Sequence, residues 1–150
     1  MTTLQPRDPA FDARVRASFE KQRFMSTIGA HLTHLAPGEV DLELVPRDDL
    51  SQQHGFLHAG VLAALADSAC GYAALSLMPA GAAVLSAEFK INLLAPAAGE
   101  RIVARGRVIK SGRTLTVCSA DVVAVREGGE VVVAHMVGTM MTVEGRGLSD

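Results

Sequence analysis

From about residue 84 onward the chain alternates apolar and polar side chains with a period of two. In "AEFKINLL" Phe89, Ile91 and Leu93 alternate with Glu88, Lys90 and Asn92, and in "ERIVARGRVIK" Ile102, Ala104 and Val108 alternate with Arg105 and Arg107. Such alternation predicts half-exposed strands. "TLTVCSADVVAV" and "EVVVAHMVGTMMTV" continue the series on either side of "REGGE", so four consecutive strands with short connections predict an antiparallel meander. Upstream the period changes. Residues 9–25 place Phe11, Val15 and Phe19 at helical spacing, extended by the stem of Arg23, with Pro9 suited to a first-turn position; they predict a short amphipathic N-terminal helix. Ile28, Leu32 and Leu35, then Val40, Leu42 and Leu44, flank "APGE" and predict a hairpin closed by a Pro-Gly turn. Residues 58–77, rich in Ala and Leu, predict a helix of about five turns, roughly 30 Å long. "MPAG" ends it, and the segment 144–150 reads as a loose tail.

This order, with no internal repeat and no linker, describes a single α+β domain over residues 1–150. A helix apolar on nearly every side must be wrapped by protein. The material available is a sheet of about six strands, which is expected to curl around the helix.

A chain of 150 residues suffices for one core, burying roughly two thirds of its unfolded surface. With 49% hydrophobic residues, a net charge of -2 and no Trp, it has no electrostatic footprint for nucleic acid or an anionic membrane, and neither partner is expected. The opening "MTTLQPRDPAFDARVRASFEK" lacks the apolar core of a secretory signal. Nor does any stretch approach the roughly 18 apolar residues of a membrane span, which points to the cytoplasm. Cys70 and Cys118 lie in apolar contexts without a CxxC partner and read as reduced core residues. His54 and His58 stand four apart, but Gly55 lies between them and neither an HExxH motif nor a third ligand accompanies them; no metal site is expected.

One residue resists the apolar reading. In "HGFLHAGVLAALADSACGYAALSL", residues 54–77, Asp67 and Ser68 interrupt a helix that Val61, Leu62, Leu65, Ala66, Ala69, Cys70, Ala73 and Ala74 otherwise make apolar. An isolated carboxylate in such a site costs several kcal/mol unless paired, hydrogen-bonded or protonated, and groups perturbed in this way cluster at functional sites. A mid-helix Asp also serves to face a subunit contact or cap a neighbouring turn. Just upstream, "SQQHGFLHAG" sets Gln52, Gln53, His54 and His58 with Gly55 and Gly60 at the start of the helix. Unpaired N–H groups and the positive end of the dipole await an acceptor there. The backbone N–H near Ala59 and Gly60 suits a substrate carbonyl oxygen, while a carboxylate attacks an acyl carbon or activates water. Ala59 and Asp67 are about 12 Å apart along one axis, yet both would have to lie roughly 3 Å from a single carbonyl group. If both act on it, the helix start of one subunit must lie beside the helix middle of another, which predicts a homodimer with two sites. The apolar bias of "VVVAHMV" extends this to a dimer of dimers.

The run Gln52-x5-His58-Ala59-Gly60-x6-Asp67, followed by "FKINLLAPAAGERIVARGRVIKSGRTL", resembles the hotdog-fold acyl-CoA thioesterases, in particular the PaaI-like branch, over residues 25–143. The resemblance implies a hotdog fold, a thioester hydrolase with no cofactor beyond the coenzyme A of its substrate, Asp67 as nucleophile or general base, Gln52 orienting water or substrate, and His58 at the active-site entrance. The family's first glycine after this histidine is Ala59 here; the backbone N–H is retained and a Cβ is added. His58 is open to a second reading, a hydrogen bond to a loop carbonyl. The "GR" turn of the family lies near the nucleotide of coenzyme A, which assigns Lys110, Gly112 and Arg113 to the diphosphate, with Lys90 and Arg107 as weaker candidates of the same kind. Leu57, Leu62 and Tyr72 are expected to line an apolar acyl tunnel between subunits. Two other functions stay open: hydration or dehydration of an acyl thioester, and a non-catalytic acyl-CoA-binding dimer in which Asp67 is a buried polar anchor.

Overall fold

The computed structural model describes residues 4–150. Its elements are α1 (Phe11–Lys21), α2 (Arg23–Ile28), β1 (His31–Ala36), β2 (Glu39–Leu44), a single 3-10 turn (Asp48–Leu50), α3 (Ala59–Leu75), β3 (Ala83–Leu93), β4 (Arg101–Ser111), β5 (Leu115–Arg126) and β6 (Gly129–Val143). The six strands form one antiparallel sheet in the order β1-β2-β4-β5-β6-β3, and α3 lies across one face of it. This is the hotdog arrangement.

Two expectations need correction. The leading helix is not continuous over 9–25: Gln22 is extended (φ −77°, ψ 92°) and separates α1 from α2, which ends on Gly29 at φ 74°. Nor do the last four strands form a meander. Strands β4, β5 and β6 do, but β3 pairs with β6 at the far edge, and the connection after it carries the chain back to β4 beside β2. Alternation reports the face a strand presents; it is silent about the strand's neighbours.

The core lies between α3 and the sheet. Leu65, Ala66, Ala69, Cys70 and Ala73 of α3 are fully buried, as are Leu42, Ala104, Cys118, Val122, Met136 and Met140 of the strands; a side chain such as Leu65 contributes about 1.5–3 kcal/mol by leaving water. Arg14 ties α1 to the end of α3, donating to the carbonyls of Leu75, Met78 and Pro79 at 3.0, 2.9 and 2.6 Å, where a helix leaves acceptors unpaired. Helix and sheet approach closely at Gly106 of β4, where a Cβ would stand 2.5 Å from the Ala69 carbonyl oxygen and 2.8 Å from Cys70 N. Those are backbone atoms of α3, so the whole helix would have to shift. Gly106→Ala is expected to destabilise the fold by at least about 1–3 kcal/mol, read as a lowered midpoint in chemical denaturation; an unchanged midpoint would contradict the contact.

The segment 144–150 has no helix or strand, but it does not run loose. Asp150 folds back, its carboxylate accepting from Val84 N–H at 2.7 Å and from the Ser18 hydroxyl at 3.1 Å.

Candidate active site

The loop before α3 is built to present a helix start. Gln52 N–H donates to Phe56 O (2.8 Å), and His58 N–H to Leu50 O (2.9 Å). The Gln52 side-chain oxygen accepts from His54 N–H, so this side chain is partly engaged by its own loop. His58 takes the N-cap position (φ −63°, ψ 139°), and its Nδ1 accepts from Gly60 N–H at 2.8 Å. An imidazole nitrogen that accepts carries no proton, so the Nδ1-bare form is held, with the ring proton on Nε2. This cap distinguishes the two expected donors. Gly60 N–H is taken by His58, whereas Ala59 N–H has no acceptor among the described residues. Ala59, Gln52 and His58 line an open groove of about 500 Å³ together with Phe56, Leu57, Leu62, Leu93 and Leu94.

Asp67 lies elsewhere. It is half-buried, and the Ser86 hydroxyl of β3 donates to its Oδ1 at 2.6 Å. Burial raises the carboxyl above its ordinary range, and the Ser86 hydrogen bond offsets part of the rise. Ser86 also touches Met140 Sδ at 3.4 Å. Both Asp67 and Ser86 line a smaller cavity of about 120 Å³ with Gln22, Ser68, Gly71, Tyr72, Val84 and Asp150.

A β-bulge makes the Asp67–Ser86 contact. The register against β6 runs Ser86↔Met140 and then Glu88↔Thr139, with Ala87 as the extra residue. Val84 and Ser86 therefore share the helix-facing side with Phe89, Ile91 and Leu93, which strict alternation would forbid. Ser86 was missed in the sequence; the available signal was a hydroxyl out of phase with the Phe89-Ile91-Leu93 alternation.

The groove and the carboxylate are separate within one chain. Along α3 Ala59 and Asp67 are about 12 Å apart, and along β3 Ser86 and the groove-lining Leu93 are about 24 Å apart.

A family model described as "Thioesterase superfamily" matches residues 54–133, the span from the groove loop through α3 to β6. The chain belongs to the thioesterase superfamily. Human acyl-coenzyme A thioesterase 13 is 32% identical over 109 residues, covering 71% of this chain and 77% of the relative. Among solved structures, a thioesterase family protein from Silicibacter pomeroyi is 50% identical with a TM-score of 0.88, covering 90% of this chain and 99% of that one. The PaaI protein of E. coli, from the phenylacetic acid degradation operon, has a TM-score of 0.81 at 22% identity over 93% of this chain and 97% of its own, a likeness of fold.

In this thioesterase the remaining predicted residues are dispersed. Lys110 and Arg113 are exposed around a turn that Gly112 N–H closes onto Leu115 O at 2.9 Å. That turn sits at the Asp67 end of the sheet, since Leu115 is level with Met141 and Met141 with Leu85. Arg107 is instead engaged on the sheet, with Asp41 at 2.6 Å and Glu39 at 3.7 Å, and Lys90 is exposed midway along β3. Within one chain Tyr72 does not join Leu57 and Leu62: it stands over Asp67's cavity, edge-on to Phe19 at 5.7 Å, because it lies nearly three turns of α3 beyond the groove-lining Leu62. Both cysteines are buried, and burial pushes the Cys118 thiol up to about 12 and the Cys70 thiol higher still. Among the described residues no group of three or more His, Cys, Asp or Glu converges as a metal site, and no helix is long and apolar enough to cross a membrane.

Proposed function

We propose that this thioesterase hydrolyses an acyl-CoA thioester, with Asp67 activating water or attacking the carbonyl carbon, and Ala59 N–H receiving the carbonyl oxygen. The observation that carries the reading is the half-buried Asp67 carboxylate held by Ser86, in a chain whose second distinctive feature is an N–H at a helix start, lining a groove and without an acceptor among the described residues. A carboxylate raised toward neutrality by burial is a better base at working pH than an ordinary aspartate. An unpaired backbone donor at a helix start favours the charge that grows on a thioester oxygen. Ser86 holds Asp67 in orientation, and Gln52 lines the groove where water or substrate would enter.

Two copies of the chain complete the site. Strand β3 is an edge strand of 11 residues with Phe89 and Leu93 exposed to 43% and 54%; such an edge is a template for a second strand. Antiparallel pairing of β3 with its own copy, about a two-fold axis near residues 89 and 90, sets the partner's groove beside Asp67 and Ser86. The same pairing carries the Lys110–Arg113 turn toward that groove, where its exposed cations suit the diphosphate of coenzyme A.

The test is thiol release from acyl-CoAs of graded length. Turnover is expected; no release from any thioester would overturn the reading in favour of a binding protein. Arg113→Ala is expected to raise KM for acyl-CoA several-fold, as an exposed contact worth about 1 kcal/mol would, with little change for the matching pantetheine thioester. Equal effects on both would remove Arg113 from the nucleotide site.

A further inference from the structure

The cavity beside Asp67 is polar on most sides, and two of its side chains present groups that the rest of the chain does not satisfy. Asp67 uses only Oδ1, which takes the Ser86 hydroxyl; its Oδ2 accepts nothing among the described residues. Gln22 stands at the break between α1 and α2 with its backbone paired on both sides: its N–H donates to Phe19 O at 3.1 Å, and its carbonyl oxygen accepts from Met25 N–H at 3.1 Å. The backbone therefore asks nothing of the side chain. That side chain lines the cavity, where its Oε1 accepts from the Ser68 hydroxyl at 3.4 Å and its Nε2 amide has no acceptor among the described residues. Ser68 follows Asp67 on α3, so this hydrogen bond brings the carboxamide to the same turn of the helix as the carboxylate. Polar groups on a cavity wall that lack a protein partner are matched by water. A volume of about 120 Å³ holds roughly four molecules at about 30 Å³ each.

We propose that Gln22 holds the hydrolytic water in this cavity: its Nε2 amide donates to the water oxygen while Asp67 Oδ2 accepts one of the water's protons, leaving the second lone pair for the acyl carbon. The inference rests on the hydrolase reading above and gives Asp67 the task of activating water rather than attacking directly. In the step itself the water oxygen bonds to the acyl carbon as its proton passes to Asp67. The C–S bond then breaks and Asp67 returns the proton to the departing thiolate, so acid and thiol leave and the carboxylate is restored. Ser86 and Gln22 divide the work: one fixes the base, the other the nucleophile, and the geometry of that encounter sets the rate. Gln22 lies outside residues 54–133, so the family match does not reach it.

The experiment compares kcat and KM of Gln22→Met and Gln22→Ala, by thiol release from the acyl-CoA that the native enzyme turns over fastest. Gln22→Met keeps the length of the side chain and removes its amide; it is expected to lower kcat about tenfold, as on loss of one hydrogen bond, with KM close to native. Gln22→Ala is expected to lose less, about threefold, because the space it opens admits a further water that donates in place of the carboxamide. A structural role for Gln22 predicts the opposite order, since alanine leaves a gap that methionine fills. Ser68→Ala releases the carboxamide and is expected to lower kcat about threefold by itself and to add nothing to Gln22→Met, the non-additivity of two residues that act on one water. Native kcat in both Gln22 variants, or a greater loss in alanine than in methionine, would overturn the proposal. Failure of the underlying reading looks different: Asp67→Asn would then turn over as fast as the native enzyme, whatever the Gln22 variants do.

Discussion

Asp67→Asn is expected to lower kcat by about a hundredfold to ten-thousandfold, the range that a positioned general base supplies, while the dissociation constant for acyl-CoA stays close to native. The carboxamide keeps the shape of the side chain and the Ser86 contact at Oδ1 but cannot take a proton. Steady-state thiol release and binding by calorimetry read the two quantities; native turnover in the variant would remove Asp67 from the chemistry. The direction of its pKa adds two consequences. Because burial holds the carboxyl above its ordinary range, kcat/KM of the native enzyme is expected to fall as pH drops through that raised value, above the range of a solvent-exposed aspartate. For stability the sign is the reverse. The native state binds this proton more tightly than the unfolded chain, so stability rises as pH falls from the folded-state pKa toward the unfolded one; at neutral pH the ionised carboxylate is a standing cost. Asp67→Asn removes that cost and is expected to raise Tm at neutral pH, an increase that disappears in acid, where the native Asp67 is itself uncharged.

The second large effect belongs to a backbone atom. Ala59→Pro deletes the Ala59 N–H at the first helical position, where proline is well tolerated, and His58 already has the extended backbone that a following proline requires. Helix α3 should therefore form, and kcat is expected to fall about a hundredfold to a thousandfold, as on loss of one oxyanion donor. Native turnover would mean the carbonyl is polarised elsewhere. If the site is shared between subunits, the two inactive variants should complement. Unfolding and refolding Ala59→Pro with Asp67→Asn in equal amounts makes half the dimers mixed, each with one intact site, so about a quarter of native activity is expected to return. No return would place both groups in one chain's site or the catalytic pair in neither.

Much of this was legible in the residues. The central helix followed from an Ala- and Leu-rich run too long and too apolar for a strand, and the strand faces from their period of two. The separation of groove and carboxylate within one chain needed only the eight-residue gap between Ala59 and Asp67. What escaped was long-range. Nothing in β3 announces that β6 rather than β4 will be its neighbour, and the bulge at Ala87 leaves composition unchanged while exchanging faces. So Ser86, the residue that touches the carboxylate, is marked in the sequence only by a hydroxyl out of phase with its strand, and Tyr72 lies beside Asp67 rather than with Leu57 and Leu62 of the same chain. Arg107 looked like a free cation because its partners, Asp41 and Glu39, lie 66 and 68 residues away in sequence.

The bulge also constrains how chains of this design can vary in length. Between Leu75 and Ala83 the chain runs outside helix and strand, and residues can be gained or lost there with the ends of α3 and β3 kept in place. Between Ser86 and Phe89 a change of one residue would turn either the hydroxyl away from Asp67 or the apolar row away from the helix side. Insertions and deletions in that short interval should survive only in pairs, so spacing, more than residue identity, is the heritable mark of the Ser86 contact.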